Sequence, residues 1–146
     1  MARKSLKKGL CGILAAVSVF AVGASAMAAS PEYYFYKGNT GQTYNILSGT
    51  ANVKVYDDDS WSLKVKTISF SSDNKGAGIC FIPMRAGAVA GKGQWRKSTG
   101  VTYGNFGSYG SATTTYQLGA RIDDDLSGSG YSKGYWNADY VSSWPG

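Results

Sequence analysis

The sequence predicts an all-β protein: a single small β-sandwich or jelly-roll-like domain of about eight short strands, placed after an N-terminal helical signal peptide. Three observations carry this prediction. Beyond residue 28 no long stretch repeats its apolar residues at the helical period. Short β-branched and aromatic runs alternate with Gly/Ser/Asn/Asp clusters to the end of the chain, the pattern of strands and turns. Aromatic residues form 14% of the chain, including 11 Tyr and four Trp, and such rings fill a core without cross-links because each buries a large area.

The chain opens with Met1-Ala2-Arg3-Lys4-Ser5-Leu6-Lys7-Lys8, a basic stretch followed by an apolar run from Gly9 to Gly23 and then small residues. That order marks a secretory signal peptide, with Ala26-Met27-Ala28 the preferred cleavage site and Ala24-Ser25-Ala26 the second. The apolar run, about 15 residues, falls short of the roughly 20 that span a bilayer. Cys11 directly follows the basic residues, with no apolar stretch before it, so it does not fit a lipid anchor. The expected division is therefore 1–28 signal peptide and 29–146 all-β domain, secreted, with membrane contact only through the export signal.

Strands are expected at Tyr33 to Tyr36, Thr43 to Leu47, Ala51 to Tyr56, Trp61 to Phe70, Gly78 to Pro83, Lys97 to Tyr103, Thr113 to Ile122 and Lys133 to Tyr140. In "WSLKVKTISF" Trp61, Leu63 and Val65 face one way and Ser62, Lys64 and Lys66 the other. After Thr67 the apolar parity switches to Ile68 and Phe70, which requires either a bulge or burial on both faces. Asp73-Asn74-Lys75-Gly76 supplies turn residues. The run Ile79 to Met84 reads as a central strand, with Pro83 marking its end. In Thr99 to Tyr116, glycines are spaced between Tyr103, Phe106 and Tyr109. They fit either an exposed aromatic surface with a mobile glycine tip or a hairpin folded back on the sheet.

Composition excludes several chemistries. The chain has no histidine, which removes Ser-His-Asp and Cys-His catalysis and the usual His-containing zinc sites. Cys80, the one cysteine beyond the signal, cannot form an intramolecular disulfide and reads as a small buried hydrophobe. The formal charge of +6 includes Arg3, Lys4, Lys7 and Lys8, which leave with the signal. The remaining charge is nearly balanced and dispersed, so nucleic acid is not an expected partner.

Two acidic runs invite a site. Asp123-Asp124-Asp125-Leu126-Ser127-Gly128 matches the first half of a calcium loop, with Asp123, Asp125 and Ser127 as candidate ligands. The closing acid at position twelve falls on Gly134, so Asp57 or Asp139 would have to complete the site. A glycosidase would need Asp57 to Asp59 facing Asp123 to Asp125 across a cleft. A charged turn accounts for either run more simply. No catalytic residue is therefore assigned, and no cofactor apart from that calcium alternative.

"SWSLKVKTISFSSDNKGAGICFIPM", "TYQLGARIDDDLSGSGYS" and "KGYWNADY" together resemble a family of short exported proteins of Gram-positive bacteria known only as a domain of unknown function. The resemblance spans about Trp61 to Tyr140. It implies an exported small β-protein without established activity, sometimes associated with bacteriocin-type export genes. Where the family pattern has an acid followed by asparagines, this chain has Asp123-Asp124-Asp125. "GKGQWRKST" is similar to a Gly-Trp-basic segment of lactococcin-type bacteriocins. The expected function is that of a secreted, non-enzymatic binding protein, bacteriocin-like or acting at the bacterial cell surface, with a cell-envelope or glycan component as partner. A carbohydrate-binding-module-like sandwich is the alternative. Candidate surface aromatics for ligand contact are Trp95, Tyr103, Phe106, Tyr109, Tyr131, Tyr135 and Trp136. No oligomeric state follows from the sequence.

Overall fold

A computed structural model describes residues 29–37, 43–71, 78–123 and 129–145, and all regular structure among them is β. The strands are β1 (Glu32–Lys37), β2 (Asn45–Ile46), β3 (Asn52–Val53), β4 (Asp58–Phe70), β5 (Ile79–Arg85), β6 (Ala88–Val89), β7 (Gln94–Arg96), β8 (Gly100–Gly110), β9 (Thr115–Ile122) and β10 (Gly130–Asn137). All pairings are antiparallel. The first sheet has the order β1-β10-β4-β8. In the second, β9 pairs centrally with β5, the short strands β2 and β3 line the far side of β9, and β6 and β7 line the far side of β5.

The two sheets share one core. Tyr33 and Phe35 of β1, Trp61, Leu63 and Val65 of β4 and Trp136 of β10 meet Ile79 and Phe81 of β5 and Leu118, Ala120 and Ile122 of β9. Tyr33 packs on Phe81 with ring centroids 5.2 Å apart, and Phe106 on Tyr116 at 4.8 Å. Buried rings of this size give each residue a large contact area. That is how the domain is held without a disulfide: Cys80 is free and buried.

The parity switch in β4 is a bulge. Thr67 pairs with Lys133 and Val65 with Gly134, so Lys66 is the extra residue on the β4 side. One inserted residue keeps Trp61, Leu63 and Val65 on the core side before it, and Ile68 and Phe70 against the core after it,. Glycine is required opposite: a Cβ on residue 134 would fall on the Lys64 carbonyl and within 3.1 Å of the Lys66 nitrogen.

Pro83 does not end its strand. It pairs with Leu118 and is followed by two more strand residues. On the other edge of β5, β7 pairs with residues 79–81 and β6 with residues 84–85, so Pro83 sits in the gap where its missing N–H is not needed. Its carbonyl accepts the Ala90 N–H at 2.9 Å. β6 and β7, which periodicity does not reveal, are only two and three residues long.

The Gly-aromatic segment is neither a hairpin nor a glycine tip. It forms β8 in the first sheet and crosses through a turn to β9 in the second. Thr113, with φ 62°, belongs to that turn, which delays the start of β9 to Thr115. Two glycines of β8 serve close packing: a Cβ on Gly104 would overlap the Trp61 indole, and one on Gly110 would meet Lys54 Cε at 2.7 Å. β10 stops at Asn137, short of the expected Tyr140, where Asn137 Oδ1 accepts the Asp139 N–H at 3.0 Å and turns the chain.

Candidate functional site

The outer face of the first sheet follows from register. Paired residues share a face, so Glu32 lies beside Tyr135 and Lys64, Tyr34 beside Lys133 and Thr67, and Tyr36 beside Tyr131 and Ser69. Because Tyr33 and Phe35 go to the core, the alternate residues of β1 turn outward: Tyr34 is 57% and Tyr36 71% exposed. Tyr131, Lys133 and Tyr135 on β10 are half-buried. Lys66, at the β4 bulge, lies on the same side, with its Nζ 5.2 Å from the centre of the Tyr135 ring. Four tyrosines on two adjacent strands thus form an aromatic face flanked by Lys64, Lys66 and Lys133. Tyr34 donates its hydroxyl to Glu32 at 2.9 Å, which raises its pKa above the ordinary tyrosine value.

The neighbouring part of this sheet is covered by the C-terminal tail. Ser62 Oγ donates to the Asp139 carbonyl at 2.8 Å and accepts from the Val141 N–H at 3.0 Å. Tyr140 stacks on Tyr103 with centroids 4.8 Å apart and an interplanar angle of 25°. Lys64 Nζ donates to the Pro145 carbonyl at 3.0 Å, so the tail borders the open tyrosines.

Beneath the tail lies the most enclosed polar cluster of the described residues. Lys54 is fully buried; its Nζ donates to Asp58 Oδ1 at 2.8 Å, the Ser60 carbonyl at 2.9 Å, the Ala138 carbonyl at 2.7 Å and Asp139 Oδ1 at 3.2 Å. Asp139 also accepts the N–H of Val55 and Tyr56, at 2.7 and 3.1 Å. Asn52 Oδ1 takes the Ala138 N–H at 2.9 Å. The ammonium and both oxygens of the Asp139 carboxylate are engaged within the fold, as a structural clasp requires,.

The surface expectations divide. Tyr131 and Tyr135 belong to the open face. Tyr103 is exposed but stacked under Tyr140. Trp95 lies on the second sheet, over Arg121, whose guanidinium is 4.9 Å from its ring and 5.3 Å from that of Tyr44. Phe106 and Trp136 are not surface residues: both point into the core, and Trp136 Nε1 donates to the Thr50 carbonyl at 2.8 Å. The side chain of Tyr109 lies outside the described residues. Tyr34 and Tyr36 were absent from the expectation because "YYFY" is aromatic at every position, and only pairing with β10 decides which rings face out.

Asp57 and Asp123 lie at opposite ends of β9. Asp57 accepts the Ala112 N–H at 2.6 Å, just before β9, whereas the Asp123 N–H donates to the Gly78 carbonyl at 2.9 Å, just after it. The eight residues of β9, at about 3.3 Å each, keep the two ends roughly 20 Å or more apart. A two-carboxylate glycosidase needs no more than about 10 Å. By the same distance neither Asp57 nor Asp139 can close a calcium loop at Asp123. Asp125 and Ser127 lie outside the described residues, among which no cluster of three or more His, Cys, Asp or Glu could hold a metal. Asp58 and Asp59 are taken up by Lys54 and by Asn105 Nδ2, the latter at 2.6 Å.

Cys80 is covered by the Tyr44 side of the second sheet, its Sγ 3.3 Å from the Tyr44 hydroxyl. Burial pushes the thiol pKa up, which disfavours the reactive thiolate. A separate shallow cleft of about 310 Å³ is lined by Arg85, Val89, Phe106, Ser108, Ser111 and Tyr116 among others.

No family model, curated protein sequence or solved structure matches this chain. What the fold and the surface define is a class: a two-sheet all-β domain with one half-open aromatic face.

Proposed function

We propose that the protein is an exported, non-enzymatic binding protein that engages a component of the bacterial cell envelope through the open face of its first sheet. The observation that carries this reading is the array of Tyr34, Tyr36, Tyr131 and Tyr135 on adjacent strands. Such rings offer rigid apolar faces for stacking and hydroxyls for hydrogen bonding, with only two side-chain torsions to immobilise. Export agrees with the signal-like residues 1–28. A cut after Ala28 is compatible with the fold, since the Ala29 carbonyl is already held by Asn52 Nδ2 at 3.0 Å.

The same array supports a carbohydrate-binding-module-like role, in which the rings stack on sugars. The bacteriocin-like reading adds that binding harms the target cell. Incubating the purified protein with intact Gram-positive bacteria and with isolated walls, then measuring co-sedimentation and growth, separates these outcomes. Binding without growth inhibition favours a wall-binding or sugar-binding factor, and binding with inhibition favours the bacteriocin-like one. Absence of binding to both cells and walls overturns the proposal.

A further inference from the structure

We infer that the ligand of the tyrosine face is an extended polyanion, a phosphodiester-linked chain of sugars or polyols; this deepens the proposed binding role and rests on it. The face combines two recognition elements. Rows Tyr36–Tyr131, Tyr34–Lys133 and Tyr135–Lys64 follow one another along β1 and β10, so rings and ammonium groups interleave. The stretch from Tyr131 to Tyr135 covers about 13 Å along the strand, room for several units of a chain rather than one compact ligand.

Charge points the same way. Lys64, Lys66 and Lys133 share the face, and among its described residues Glu32 is the one carboxylate, already accepting the Tyr34 hydroxyl at 2.9 Å. Lys66 keeps the outward side it shares with Ser62 and Lys64, and the bulge turns Thr67 rather than Ile68 outward beside Lys133,. The cations of this face are all lysines, while Arg85, Arg96 and Arg121 lie on the second sheet. Lysine acts on phosphate as a point charge on a flexible stem, without the fixed fork geometry of arginine. Lys133 lies beside Tyr34, and the exposed rings of Tyr34 and Tyr36 can stack on a neutral unit while the ammonium takes the adjoining phosphate.

The test uses one bacterial wall preparation in two states, untreated and after hydrofluoric acid has hydrolysed its phosphodiester polymers. The purified protein is expected to bind the untreated wall, to lose about tenfold or more of that affinity on the treated wall, and to weaken as salt rises from 50 to 500 mM, because exposed charge contacts are screened. The variant K66Q/K133Q is expected to reproduce the loss on untreated walls while melting like the parent protein, and Y34A/Y36A to weaken binding at all salt concentrations. Equal binding to both wall states would overturn the polyanion inference and leave the proposed binding function standing. No binding to either would remove both. Tighter binding to vesicles containing phosphatidylglycerol than to untreated wall would overturn the inference in favour of a lipid surface.

Discussion

One sheet of this domain has an outer face of two kinds. Over Ser62 and Lys64 the C-terminal tail lies down, Tyr140 stacks on Tyr103, and beneath it Lys54 and Asp139 meet in a fully buried ion pair. Two strands away, Tyr34 and Tyr36 stand exposed beside half-buried Tyr131 and Tyr135. Both regions are rich in tyrosine and lysine. The difference is burial: at the closed end the Lys54 ammonium and the Asp139 carboxylate are buried on partners within the chain, and at the open face Tyr34 and Tyr36 present their rings outward. The proposed binding role assigns stability to the first region and recognition to the second, a separation open to test by substitution.

The largest effect is expected at the clasp. Lys54→Met removes the ammonium, leaving the buried Asp139 carboxylate without its counter-charge and the carbonyls of Ser60 and Ala138 without that donor. Breaking one side of a buried ion pair costs about 3–5 kcal/mol, a large share of a small domain's stability. Urea denaturation should show a much lower midpoint. A loss under about 1 kcal/mol would mean that the clasp does not hold this end together.

Next comes Gly134→Ala, which links the two regions. The new methyl has no room against the Lys64 carbonyl, and overpacking of this kind costs about 1–3 kcal/mol. If the bulge flattens to relieve the contact, Thr67 turns inward and Ile68 and Phe70 turn outward onto the open face,. Thermal melting and wall binding should therefore fall together, in contrast with Lys54→Met protein, whose folded fraction should bind normally.

A third effect appears at alkaline pH. Burial raises the Tyr33 pKa above its ordinary value of 10.0, against the opposing hydrogen bond with Ser132 Oγ. The folded state then keeps a proton that the unfolded chain releases. The stability contributed is complete below about pH 10 and is lost as pH rises toward the folded value. Melting temperatures from pH 8 to 11.5 should drop above pH 10 in the parent protein and less steeply in Tyr33→Phe. Parallel curves would place the alkaline sensitivity elsewhere.

The smallest stability change belongs to the open face. Tyr34→Ala and Tyr36→Ala should each shift stability by no more than about 0.5 kcal/mol, as exposed substitutions do, while reducing binding. A large loss of stability would show that these rings are structural.

How much of this was legible depended on whether a local rule agreed with tertiary pairing. "WSLKVKTISF" announced its buried face and a parity switch that left two solutions, a bulge or two-sided burial, between which only the pairing with β10 decides,. β6 and β7 were too short to carry any period. "ANVKVY" misleads by its own alternation: the valines look inward, yet Asn52 and Lys54 are buried and Val53 is 45% exposed. The inversion is set by partners more than 80 residues away, Ala138 and Asp139, which no window of sequence contains. For the site, Tyr131 and Tyr135 could be named from alternation in "GYSKGYW", but not the β1 tyrosines, and Phe106 and Trp136 were taken for surface rings because glycine neighbours conceal burial. Gly104 and Gly110 instead make room for Trp61 and Lys54.

The most direct measurement of the separation is amide chemical-shift mapping of the labelled protein titrated with soluble wall fragments. The account predicts shifts concentrated in β1, β10 and the bulged stretch of β4, including Tyr34, Tyr36, Tyr131, Lys133, Tyr135 and Lys66, with Lys54, Asp58 and Asp139 unmoved. Shifts centred instead on the cleft lined by Arg85, Ser108 and Ser111, or on Trp95 and Arg121 of the second sheet, would contradict it.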